Sequence, residues 1–206
     1  IIDIPAERPA PLARRVEPLA DVPFERYALT ADGVSPMPAP GRPDTQWVAD
    51  GLSHKPSGHP SNAAKDHLAQ LDKRRRKIED FAWGDTWGTV FGPATAEVAL
   101  LCFGSTVGPA KEAARRLTAA GTPTKVVALR LIAPVRHAEI AAALAGATRV
   151  IVVEQNQSGQ LFRHLLGARA LPAIAQSHAR PGPAPFRPAE IVAHVLTTRN
   201  TAEAAE

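Results

Sequence analysis

The spacing of apolar and polar positions changes character near residue 96. Beyond it, short β-branched runs alternate with stretches of helical period. VALLCF (98–103) reads as a strand. After the turn GSTVG, Pro109 suits a first helical position; Ala110, Ala113, Ala114 and Leu117 then mark one face, and Gly121 stops the helix. Residues 126–131 give a second strand, 136–145 a short Ala-rich helix carrying Ile140 and Leu144, and 150–153 a third strand. Residues 158–166 form a helix with Leu161, Phe162 and Leu165 inward, followed by a weaker strand near 173–176. A last helix starts after Pro188 with Ile191, Val192 and Val195 facing the core. The order βαβαβαβα predicts an α/β domain over residues 96–200, three-layered around a mostly parallel sheet, with 201–206 as a tail.

Residues 1–60 show no sustained period and hold 11 of the 20 prolines, which deny backbone donors and disfavour helix in the residue before them. An extended arm suits this composition, as does a linker. Phe24, Tyr27, Leu29, Val34, Met37 and Trp47 favour a docked arm, since a free linker has no use for them. Its expected anchors are Tyr27, Trp47 and the DGVSP turn with Gly33 at its permissive backbone position. Residues 61–95 read as a connecting helix and loop. Ser61 or Asn62 is positioned to cap the helix, Leu68, Leu71 and Ile78 make a thin apolar stripe, and the basic run 73–77 reads as a solvated face, with an anion patch as the alternative. His54, His59 and His67 have no metal-ligand spacing and read as surface histidines.

Composition narrows the function classes. The chain of 206 residues is 45% apolar and 21% charged, with a formal net charge of +4. Its basic residues are interspersed with acidic ones and its aromatic content is only 5%, which argues against nucleic acid as a partner. No apolar run approaches the roughly 20 residues that span a bilayer, so no membrane partner is expected. Cys102 is the single cysteine, so these residues form no internal disulfide and no Cys-based cluster or zinc site; its apolar neighbours place it as a buried strand thiol. The chain begins with Ile1, which suggests a piece of a longer protein.

Two turns carry candidate chemistry, both at the carboxyl ends of predicted parallel strands, where ligands of open α/β sheets gather. Gly104, Ser105 and Thr106 are weak candidates for a phosphate-bearing cofactor: the turn lacks GxGxxG spacing and a P-loop lysine, and its hydroxyls also suit a helix cap. In EQNQSGQL, Glu154 opposes an anion pocket. Glu154, Asn156, Ser158, Gly159 and Gln160 read instead as an interface and structural hub, with Glu154 and Asn156 satisfying backbone donors of neighbouring turns, Ser158 capping the helix and Gln160 reaching toward a partner. Neither turn has a second carboxylate, a histidine pair or a Ser–His–Asp set, so no catalytic residue and no metal ligand is assigned.

In order, ALLCFGSTVGPAKEAARRL, ALRLIAPV, VIVVEQNQSGQL and PAEIVAHV resemble the carboxyl-terminal domain of the alpha subunit of 2-oxoacid:ferredoxin oxidoreductases, the 2-oxoglutarate type most of all. That domain is itself similar to the transketolase carboxyl-terminal domain. Upstream, FERYALTADGVSPMPAPGRPD, GLSHKPSGHPS and DKRRRKIE resemble the segment that precedes it. The resemblance implies a thiamine-diphosphate enzyme that oxidatively and reversibly decarboxylates a 2-oxoacid, sends electrons through an iron–sulfur cluster to ferredoxin and delivers the acyl group to coenzyme A. It implies that the pyrimidine domain of the alpha subunit and the beta subunit are partners, that thiamine diphosphate, magnesium and the cluster lie outside these residues, that the fragment alone is inactive, and that the location is cytoplasmic. Cys102 stands where relatives carry an aromatic residue, and KIEDFAWGDTWGTVFGPA is longer than their counterpart; both bear on subtype. The alternative is a stand-alone α/β module for an acyl-CoA or a nucleotide.

Overall fold

The computed structural model describes residues 21–203, with side chains through residue 198. The first third of the expected arm and the last three residues of the tail lie outside the described residues. The chain divides into two compact units, 1–82 and 83–206.

In the first unit, helix α1 (Ala64–Glu79) is capped by no side chain at its first turn; Ser61 accepts from the amide of Ala63 and donates to Asp66 just upstream. The apolar stripe lies outward, and Lys73 of the run read as a solvated face lies inward, a correction to that reading. Leu68, Leu71 and Ile78 are exposed, while Gln70 and Lys73 are buried. The reason is that α1 faces backbone carbonyls rather than apolar side chains. Gln70 Nε2 donates to the carbonyl of Tyr27 at 2.9 Å, and Lys73 Nζ donates to the carbonyls of Tyr27 and Ala28 and to Ser35 Oγ at 2.8 Å. Burial, reinforced by Arg26, Arg74 and Lys77, draws the Lys73 ammonium down to about 8. Gly33, at φ +72°, lies so close to α1 that a Cβ would sit 2.6 Å from the Lys77 Cβ. Tyr27 stacks flat on His54 at 4.2 Å and meets Trp47 edge-on at 6.2 Å. His54 is therefore a buried histidine, a correction to its reading as a surface residue; His59 and His67 are exposed.

The second unit is built on a five-stranded sheet in the order β1-β3-β2-β4-β5. Its strands are β1 (Gly88–Phe91), β2 (Val98–Phe103), β3 (Thr124–Leu129), β4 (Arg149–Glu154) and β5 (Ala175–Ala179). The last four are parallel, and β1, inside the stretch read as a connection, runs antiparallel against β3. Between and after them come α2 (Val107–Ala119), α3 (His137–Leu144), α4 (Gln160–Gly167) and α5 (Pro188–Glu203). Alternation along each strand divides the core between two faces. Val98, Leu100 and Cys102 point into one cluster with Ala113, Leu117, Ile191 and Val195 of α2 and α5. Ala99 and Leu101 point into the other, with Ile140, Leu144, Leu161 and Leu165 of α3 and α4. Burying each such large side chain contributes about 1.5–3 kcal/mol. The helix faces expected from sequence are the buried ones. The boundaries shift by a residue or two: α2 begins at Val107, so Pro109 is its third residue, where an amide has no intrahelical partner to lose.

Candidate functional site

Strand β2 leads to α2 on one face and β4 leads to α4 on the other, so the carboxyl ends of these neighbouring strands flank the point where the connections reverse direction. Both candidate turns lie there.

At the end of β4 the side chain of Glu154 is 1% exposed and turns inward. Its Oε2 accepts from the amide of Leu161 at 2.6 Å and from Asn156 Nδ2 at 2.6 Å, and its Oε1 accepts from the amide of Phe162 at 3.0 Å. Asn156 is thereby aimed so that its Oδ1 accepts from the amides of Ser158, Gly159 and Gln160 at 2.8–3.2 Å. The amide of Arg163 then bonds the Gly159 carbonyl. Every orphan amide of the first turn of α4 is satisfied by two side chains from the preceding strand and turn. A carboxylate at a helix N-terminus also complements the helix dipole.

The hub expectation thus lands on residues that do meet, with one correction. Ser158 makes no capping bond; the capping is done by Asn156 and Glu154. Gly159, at φ +64°, occupies the cap position itself, where a Cβ would lie 3.0 Å from Ser177 Oγ on β5. Gln160 is exposed, as its proposed outward role needs. Gln155, which the sequence reading passed over, donates from Nε2 to the carbonyls of Gly182 and Ala184, both at 2.9 Å, and laces this turn to the β5–α5 loop. A polar residue next to the hub was its only sequence signal.

The β2–α2 turn is organised differently. Gly104–Thr106 forms a single 3₁₀ turn, Gly104 adopts φ +60°, and Thr106 Oγ1 donates back to the carbonyl of Phe103 at 2.8 Å instead of forward to the helix. The expected side-chain cap is absent from this turn, and Ser105 is exposed. Cys102 is fully buried; burial pushes its thiol up to about 12, against a smaller opposing effect of the Thr106 hydroxyl, so it is an inert core group.

Between the two turns lies a cleft of about 220 Å³ with Phe103, Ile132 and Leu161 as apolar walls, Asn156, Gln160 and His164 as polar ones, and Glu154 at its base. Its volume falls below the roughly 300–1,000 Å³ of ordinary small-molecule pockets. His164 Nε2 is 3.1 Å from the carbonyl of Ile132. Among the described residues no group of three or more His, Cys, Asp or Glu is gathered as a metal site, and no helix is long and apolar enough to cross a membrane.

The mostly parallel five-stranded sheet is that of a transketolase-type carboxyl-terminal domain. Residues 92–198 match the transketolase, C-terminal domain family, and the chain belongs to it. It is 33% identical over 141 residues to subunit alpha of 2-oxoacid:ferredoxin oxidoreductase 2 from Aeropyrum pernix, a match covering 67% of this chain and 22% of that protein. It is also similar to a solved structure, 2-oxoglutarate:ferredoxin oxidoreductase from Magnetococcus marinus with 2-oxoglutarate, coenzyme A and succinyl-CoA bound. That likeness has a TM-score of 0.72 and 34% identity, and covers 89% of this chain and 32% of that one. The resemblance to the alpha subunits of this enzyme class holds, and the chain spans between about a fifth and a third of the length of these relatives.

Proposed function

We propose that the chain is the carboxyl-terminal part of the alpha subunit of a thiamine-diphosphate-dependent 2-oxoacid:ferredoxin oxidoreductase of the 2-oxoglutarate type, working in the cytoplasm. The likeness to the Magnetococcus marinus enzyme over 89% of the chain carries this reading. The whole enzyme would oxidatively decarboxylate the oxoacid, pass electrons through an iron–sulfur cluster to ferredoxin, and release the acyl group as its coenzyme A ester. The residues here do not fit the iron–sulfur cluster of that chemistry. A cluster is held by several cysteine thiolates, and the one cysteine is buried and inert. The cluster is therefore assigned to another part of the complex, and no step is assigned to this one.

Its role is assembly, with the beta subunit and the pyrimidine domain of the alpha subunit as partners. The amides of α4 are spent on Glu154 and Asn156, which disfavours the alternative of an acyl-CoA or nucleotide module gripping phosphate there. What the turn offers outward is a cleft of side-chain size rimmed by Gln160 and His164, suited to a group of the partner that needs a donor and an acceptor. In the complete enzyme, Gln160→Ala should weaken subunit association several-fold while turnover per assembled complex stays within about twofold, since losing one such hydrogen bond costs about 0.5–1.5 kcal/mol. Analytical ultracentrifugation beside a viologen-linked assay with 2-oxoglutarate measures both. Intact assembly with a hundredfold loss of turnover would place the turn in the active site and end the assembly reading.

A further inference from the structure

A second cavity, of about 440 Å³, lies away from the carboxyl edge, between α2 and the end of β1. Lys111, Ala114, Arg115 and Thr118 share one stripe of α2 and form its long wall, Phe91 and Gly92 form the opposite wall, and Val126 lies on its floor. From Lys111 to Ala119, at the end of α2, is eight residues, a length of about 12 Å. The slot runs where α2, lying over β2 and β3, leaves the end of β1 beside it open within the second unit.

The polar groups along this slot are already committed. Thr118 Oγ1 accepts from the amide of Thr124 at 3.0 Å, Thr124 Oγ1 donates to the carbonyl of Thr122, and Arg115 is bidentate on Glu112. Lys111 is the exception. Its ammonium lies 4.0 Å from the centre of the Phe91 ring and, among the described residues, has no carboxylate partner. An aromatic face is a weaker partner for a cation than a carboxylate is. The slot thus asks for an occupant that makes no hydrogen bonds along its length and carries an anion at one end.

We propose that this slot binds an aliphatic chain ending in a carboxylate, with the carboxylate on Lys111 and the chain laid along Ala114 and Thr118 over Val126. The ammonium exchanges the Phe91 ring for the carboxylate, and the ring then becomes a side wall for the chain. Neutral sugars are disfavoured, because the hydroxyls of Thr118 and Thr124 along the walls are already paired. Cationic amphiphiles are excluded by Lys111 and Arg115.

The test is a titration of the full chain with decanoate and decylamine, each below its micellar concentration, followed by amide NMR and calorimetry. Decanoate is expected to shift the amides of Phe91, Gly92, Lys111, Ala114 and Thr118 and to saturate; decylamine is expected to leave them in place. Lys111→Gln should weaken decanoate roughly tenfold, and Lys111→Arg should keep it within about threefold, because the charge and not the ammonium shape is what matters. Equal binding of decylamine, shifts located elsewhere, or unchanged affinity in Lys111→Gln would each overturn the proposal. Loss in Lys111→Gln of a concentration-dependent self-association that decanoate does not touch would overturn it in favour of a contact between copies of the chain.

Discussion

The turns after β2 and β4 occupy neighbouring places at one sheet edge, yet they start their helices by different physics. After β4, two side chains reach forward across as many as eight residues and take five successive amides. After β2, the backbone tightens into a 3₁₀ turn and the nearest hydroxyl turns backward. The first arrangement concentrates stability in Glu154, a buried group that cannot be altered without stranding its partners. The second spreads a small contribution over backbone bonds that substitutions hardly reach. A turn with such a concentrated buried network suits a fixed contact surface. One made of backbone alone is free to vary.

The sharpest way to break this contrast is Glu154→Ala. It strands the amides of Leu161 and Phe162 and frees Asn156 from its brace, and each buried unpaired group costs about 1–3 kcal/mol. The expected loss is about 3–5 kcal/mol in urea unfolding, with an unchanged m-value. Asn156→Ala, which leaves Glu154 in place, should lose about 1–2 kcal/mol, the usual range for a helix cap. Near-neutral behaviour of Glu154→Ala would erase the distinction between the turns.

Most of the layer arrangement was legible because it rests on local period. Residues 98–103 and 150–153 are apolar on both faces, as strands of a covered parallel sheet must be, and Ala110, Ala113, Ala114 and Leu117 repeat at helical spacing. Strand β1 was not legible. It has four residues, its partner β3 follows more than thirty residues later, and only Phe91 packs against the core. Helix α1 misled because its burial comes from carbonyls of residues 27 and 28 meeting Gln70 and Lys73, which no hydrophobic pattern records. Of the site, the polar density of EQNQ and its use on backbone donors were visible, but that those donors are the first turn of α4 itself, with Ser158 left out, was not. Cap rules look two or three residues ahead, whereas Glu154 acts seven and eight residues ahead because a buried strand end points under the helix it precedes.

Acid offers an intermediate test of the contrast, since only the β4–α4 turn is laced through Gln155 to the β5–α5 loop. Beside that loop, His178 of β5 stacks on His194 of α5 at 3.9 Å. Burial first, then His194, pulls His178 from 6.5 down to about 4; Arg180 adds to this and Glu190 opposes it, while burial and then Arg149 lower His194. Because the folded value lies below the unfolded one, stability is complete above about pH 6.5 and falls as pH drops toward 4, where the unfolded chain takes up protons that the folded one refuses. With half-buried rings the loss should be about 1–2 kcal/mol across that window. Hydrogen exchange at pH 4.5 should loosen the amides of α5 first, with the core it shares with α2, and those of the Gln155-tied β4–α4 turn before those of the β2–α2 turn, and His178→Phe should flatten the pH dependence. Equal loosening of the β2–α2 turn would mean that the two turns are not separately supported.

The smallest expected effect lies in the β2–α2 turn. Ser105 is exposed and its hydroxyl caps nothing, so Ser105→Ala should change stability by less than about 0.5 kcal/mol. Thr106→Val should cost about 1 kcal/mol, since it removes a buried hydroxyl from the Phe103 carbonyl while keeping the side-chain volume. The pair separates a structural turn from a ligand-holding one. A structural turn responds at Thr106 and is silent at Ser105, in stability and in the activity of the complete enzyme alike. A turn that grips phosphate would respond at Ser105 through the apparent affinity for the phosphate-bearing substrate, with melting unchanged. If the protein is the oxidoreductase proposed above, a several-fold rise in KM for coenzyme A in Ser105→Ala would mark Gly104, Ser105 and Thr106 as a binding turn, and the silence expected here would leave Glu154 as the organising group of this edge.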